Sequence, residues 1–141
     1  MKQLLTILLF LPLFIACSSD DDPVLPEPTQ DYTSFTVACE SDFTVYNCVI
    51  GYQGSDNKWV RVAALGDIKG KTESKEIKVD FAKVKEFYMF QDYYENGKYK
   101  DTSKMRSPFK LTENKKNKLI IPKEYSVDTI NENDPYQYPQ E

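Results

Sequence analysis

The sequence predicts an all-β domain, an antiparallel β-sandwich of about seven strands. Three observations carry this. Apolar and polar residues alternate with a period of two in successive short stretches, turn-forming clusters separate those stretches at intervals of about eight to twelve residues, and bulky residues suited to pleated surfaces are abundant, with 10 Tyr, 8 Phe and 1 Trp in 141 residues.

The strands are expected in the following order. Ser34 to Cys39 places Phe35, Val37 and Cys39 on one side. Phe43 to Tyr52 carries apolar residues on both sides, the mark of a strand in the middle of a sheet. Gly51 to Asn57 turns the chain into Lys58 to Leu65, where Trp59, Arg61 and Ala63 oppose Val60, Val62 and Ala64, and Gly66-Asp67 is expected to close the strand. Ser74 to Val79 has a charged face suited to an edge. Between Phe81 and Tyr94 a helix capped by Asp80 competes with a turn followed by a strand; the density of aromatics favours a strand from Lys85 to Asp92. Asn96-Gly97 is then a type I′ hairpin turn, since both residues tolerate positive φ. Tyr99 begins the return strand, and Met105 to Leu111 with Lys118 to Ile121 is expected as a last hairpin closed by Pro122. This gives a domain over 33–122, with an immunoglobulin-like or transthyretin-like outline; a small β-barrel is the alternative. Residues 123–141 read as a polar tail, in which Tyr125, Val127 and Ile130 could add an edge strand.

Composition removes several function classes. With no His, neither Ser-His-Asp nor Cys-His hydrolysis is available. The balance of 22 Asp plus Glu against 18 Lys plus Arg argues against nucleic acid as a partner. No calcium loop or other metal-ligand spacing is present, so neither metal nor cofactor is expected. Short-range carboxylate pairs such as Glu86 with Asp92 lack the separation across a cleft that glycosidase chemistry needs.

The first 22 residues carry an address. Lys2 precedes the uncharged stretch Leu4 to Ala16, which is too short for an ordinary transmembrane helix. Phe14-Ile15-Ala16-Cys17 resembles the lipobox of bacterial lipoproteins, in which the cysteine is lipidated and becomes the first mature residue. Phe14 stands where Leu is usual. Ser18-Ser19-Asp20-Asp21-Asp22 resembles the surface-export signal that follows that cysteine in many outer-membrane lipoproteins of Gram-negative anaerobes. The resemblance implies a signal peptide over 1–16, palmitate and further acyl chains on Cys17, a lipidated tether over 17–32, and anchorage in the outer membrane facing outward. More than one chain is what makes such attachment stable. Pro23, Pro26 and Pro28 keep the tether extended.

Removing Cys17 leaves Cys39 and Cys48, in a chain read as exported to an oxidising space. They are either bridged or two buried thiols. A tight hairpin at Ser41-Asp42 would set them too far apart to bridge, so hairpin and disulfide exclude each other.

For function, the notable feature is the aromatic run Phe87, Tyr88, Phe90, Tyr93, Tyr94 and Tyr99. Alternation allows the core only one set; the other is covered by loops or by Tyr136 and Tyr138 of the tail, or it is exposed. Tyr93, Tyr94, Tyr99 and Trp59 are therefore the candidate contacts of a non-enzymatic binding module, for a glycan or an envelope protein. A structural spacer or assembly subunit of the envelope is the alternative, and a small enzyme a third.

Overall fold

The computed structural model describes residues 30–141; the lipobox, Cys17 and the tether up to residue 29 lie outside the described residues. Nine strands form the described chain: β1 (Thr33–Cys39), β2 (Val45–Gln53), β3 (Trp59–Ile68), β4 (Ile77–Val79), β5 (Glu86–Glu95), β6 (Lys98–Met105), β7 (Phe109–Lys110), β8 (Lys116–Ile121) and β9 (Val127–Ile130). They make two sheets, ordered β4-β1-β8 and β3-β2-β5-β6-β9, with β7 pairing separately with β5. The sheets are not closed into a barrel, so the sandwich expectation holds and the barrel alternative falls.

The period-two reading succeeds where it assigns faces. Phe35, Val37 and Cys39 of β1 enter one core with Val45, Cys48 and Ile50 of β2 and Phe87 and Met89 of β5. Phe35 and Phe87 meet across the sheets at 5.5 Å between ring centroids, and β2 lies between β3 and β5, as its two apolar sides require. The 81–83 segment is a turn and the aromatic segment is strand β5. Asn96 and Gly97 have φ of 51° and 73°, the two positive values of a I′ turn.

Two expectations are corrected. Gly66-Asp67 does not end β3: the strand continues to Ile68 through a bulge at Gly66, whose φ of 69° a side chain would strain. Met105 to Leu111 and Lys118 to Ile121 do not form a hairpin. β7 pairs antiparallel with β5, and β8 crosses to the other sheet, where it runs parallel to β1 from Ser34↔Lys116 to Cys39↔Ile121. The edge strand offered for Val127 and Ile130 forms: β9 pairs with β6, and beyond it Pro139 is fully buried.

The loop over 40–44 is no tight hairpin, because β1 and β2 belong to different sheets. Cys39 and Cys48 nevertheless stand unbridged and buried. The Cys39 Sγ lies 3.0 Å from the Ser41 hydroxyl, and burial, with Cys39 nearby, pushes the Cys48 thiol up, so it is protonated and inert.

β1 and β8 run parallel, so they begin together at one end and finish together at the other. Gln30 N–H donates to the Asn114 carbonyl at 2.9 Å and Asn114 N–H to the Thr33 hydroxyl at 2.9 Å, so the described chain enters at the pole where β1 and β8 begin. Both strands end, at Cys39 and Ile121, about 20 Å away at the opposite pole.

Candidate functional site

At that far pole lies a groove of about 580 Å³, lined among others by Phe43, Tyr46, Gln91, Tyr93, Tyr94 and Tyr125. Three chain segments build it. The stretch from the 40–44 loop into the start of β2 contributes Phe43 and Tyr46, the end of β5 contributes Gln91 to Tyr94, and the passage from β8 to β9 contributes Lys123, Glu124 and Tyr125. Strand alternation puts Gln91 and Tyr93 on the same face as the core residues Phe87 and Met89, beyond the extent of the smaller sheet. With no described residue laid over it, Tyr93 remains 49% exposed.

Tyr94 follows a register shift between Tyr93 and Tyr94 in the β5–β6 pairing. Its ring packs on Tyr46 at 4.9 Å and on Tyr99 at 5.9 Å, forming a chain of three tyrosines along the rim. Phe43 and Tyr125 form a second ring pair, 6.2 Å apart.

The polar groups are fixed. The Tyr125 hydroxyl donates to Gln91 Oε1 at 2.6 Å. Asp92 accepts from the Asn47 amide and from the Thr102 hydroxyl at 2.9 Å. Thr102 lies also 3.0 Å from a Glu132 oxygen. Its single proton serves one carboxylate at a time, so the Tyr99 hydroxyl, 2.9 Å away, donates to Thr102. Burial pushes the Tyr125 phenol up to about 12. The Tyr94 phenol is also raised, first by burial and then by the negative charges of Asp92 and Asp67. Both are neutral hydroxyls at ordinary pH.

The remaining aromatics lie elsewhere. Trp59, a sequence candidate, packs against Tyr88 and Phe90 at 5.1 Å each, on the outer face of the larger sheet and outside the groove lining. Tyr138 adds a ring on Phe90 at 5.7 Å, and Pro139 fills the notch at Gly51. The structure thus brings Tyr93 and Tyr94 together in the groove, sets Tyr99 beside them and separates Trp59. Phe43, Tyr46, Gln91 and Tyr125 are groove residues that the sequence reading missed. Tyr46 had a signal in its lone aromatic ring near the start of a central strand; Tyr125 had none, because only the tertiary fold carries it to Gln91.

Among the described residues no group of three or more His, Cys, Asp or Glu side chains is placed to hold a metal ion. No protein-family model matches the chain, and no significant match is found among curated proteins or solved structures.

Proposed function

We propose that this is a lipid-anchored lipoprotein of the outer membrane, displayed on the cell surface, and that it is a non-enzymatic binding module whose ligand occupies the groove at the far pole. One observation carries the reading. The chain enters the described domain beside Asn114 and Thr33, at the opposite end from Tyr93, Tyr94 and Tyr125. An anchor on Cys17, attached to the domain through the residues before Gln30, leaves the groove at the end remote from the attachment point. A groove of about 580 Å³ falls within the usual range of about 300–1,000 Å³ for small-ligand clefts. Gln91 and Tyr125 hold each other in place, the preorganisation that favours binding.

A Tyr94→Cys variant tests display in the natural cell. Cys39 and Cys48 are buried, so a membrane-impermeant maleimide reports the new thiol alone. Labelling of intact cells, with palmitate incorporation that disappears in Cys17→Ser, is the expected result. Labelling only after lysis, or palmitate incorporation that survives Cys17→Ser, overturns the proposal.

A further inference from the structure

We infer that the ligand of the groove is a neutral glycan chain, stacked on Tyr93 and on the Phe43–Tyr125 pair and hydrogen-bonded through Gln91 and Glu124. The inference rests on the groove being the binding site and goes on to name what binds. Sugar rings present two chemistries at once: C–H faces that pack on aromatic rings, and hydroxyls that both donate and accept. The groove offers the matching pair. Its exposed rings, Phe43 and Tyr93, are each 49% accessible, and the acceptors beside them are the Glu124 carboxylate and the Gln91 carboxamide.

The acceptors retain capacity. A carboxylate has about four lone-pair sites, and Glu124 stands exposed on the groove lining. Hydroxyl donors suit those sites. Gln91 is anchored through its oxygen by Tyr125, which fixes the orientation of its amide nitrogen as well.

Charge decides for a neutral chain. The groove holds Asp92 and Glu124 against a single lysine, Lys123. Lys123 is also shared with an adjoining hollow of about 380 Å³ lined in part by Lys71, Glu73 and Lys118. There the lysines are matched already, Lys118 to Glu73 at 2.7 Å and Lys71 to Asp42 at 3.4 Å. No surplus of positive charge awaits an acidic polymer. The continuity of the two depressions at Lys123 gives an extended chain room beyond the rings. A concave, carboxylate-bearing site is also a poor match for a protein partner, whose interface needs on the order of 1,000 Å² of complementary surface.

The test is affinity electrophoresis of the full lipidated chain in detergent, through gels containing mannan, xylan, starch or mixed-linkage β-glucan, with alginate as the acidic comparator. Retardation is expected in at least one neutral gel and should weaken about tenfold or more in Tyr93→Ala, as expected when a stacking ring is removed, with thermal unfolding unchanged. Absence of retardation in every neutral gel, retardation that survives Tyr93→Ala, or stronger retardation by alginate overturns the inference. A photo-crosslinking residue at the groove, Glu124→p-benzoylphenylalanine, separates the two levels of the argument. If the gels are silent and it captures a discrete protein on cells in a Tyr93-dependent way, the glycan inference falls and the groove stands. If it captures nothing and the gels are silent, both fall.

Discussion

The outer faces of the two sheets are sealed by different means. On the smaller sheet, Ser34, Thr36 and Ala38 of the central strand β1 point away from the core and are buried all the same. Charged side chains cover them: Lys116 pairs with Glu76 at 3.3 Å and Lys118 with Glu73 at 2.7 Å. On the larger sheet the cover is hydrocarbon. Phe90 is completely buried beneath Trp59 and Tyr138, and Pro139 lies against Gly51. That cover stops short of the end of β5, where Tyr94 stays open beside Tyr46 and Tyr99. A ring seal depends on the chain having a segment to lay down, and the segment over 138–139 reaches Phe90 but not Tyr94. Tyr93 of the groove lies on the opposite, core-facing side of β5, bare because the smaller sheet does not extend over it.

The largest effect expected from breaking this contrast lies in the ring seal. Phe90→Ala removes a fully buried ring and should destabilise the domain by about 3–5 kcal/mol, read as a lower midpoint in chemical denaturation. A loss below about 1 kcal/mol would show that the outer face is not a packed layer at all.

Gly51→Ala comes next. An added Cβ would stand 2.7 Å from Pro139 Cγ and 3.0 Å from the Val60 carbonyl oxygen. Overpacking of this kind costs about 1–3 kcal/mol. The tail should be displaced with it, seen as faster amide exchange at Arg61, whose N–H donates to the Gln140 carbonyl at 3.2 Å. Unchanged exchange at Arg61 would mean that the tail is not held by this notch.

What was legible in the sequence divides along the same line. Alternation grouped Phe35 with Val37 on one face of its strand and separated the rings of β5 into two sets, because facing is a local property of spacing two; that Phe87 and Met89 are the set that joins Phe35 and Val37 was settled by the fold. The Asn96-Gly97 turn was legible because it is a statement about two backbone dihedrals. The partner of β8 was not, since Lys118 to Ile121 reads equally well as half of a hairpin or as a strand crossing to β1; the choice is made by Leu119 and Ile121 joining the core beside Val37 and Cys39. The groove was half legible. The density of rings at the end of β5 marked Tyr93 and Tyr94, but what turns them into a groove is Phe43 and Tyr125, which arrive from loops on either side. Trp59 was grouped with them on residue type alone and belongs to the ring seal.

The smallest effect expected is in the charge seal, and it distinguishes the two faces by pH rather than by size. The Glu73 carboxyl is held below the ordinary carboxylate range by its bond to Lys118 and by the Thr36 hydroxyl. Glu76 is lowered by the Ser34 hydroxyl it faces, at a range longer than a formal hydrogen bond, and by Lys116. A carboxyl whose pKa is lower folded than unfolded contributes stability that is complete above its unfolded value and is lost as pH falls through the folded one. Both groups are solvent-exposed, so the contribution is small and screened by salt. Thermal unfolding of the native chain should therefore lose part of its stability as pH drops below the ordinary glutamate range. Glu73→Gln combined with Glu76→Gln should flatten that decline while leaving high-salt stability nearly unchanged. Gly51→Ala, acting through packing alone, should lower the whole curve and leave its slope as it was. A double Gln variant whose acid decline runs parallel to that of the native chain would show that the lysines over β1 merely stand near the carboxylates and that the small sheet is sealed by its own side-chain stems.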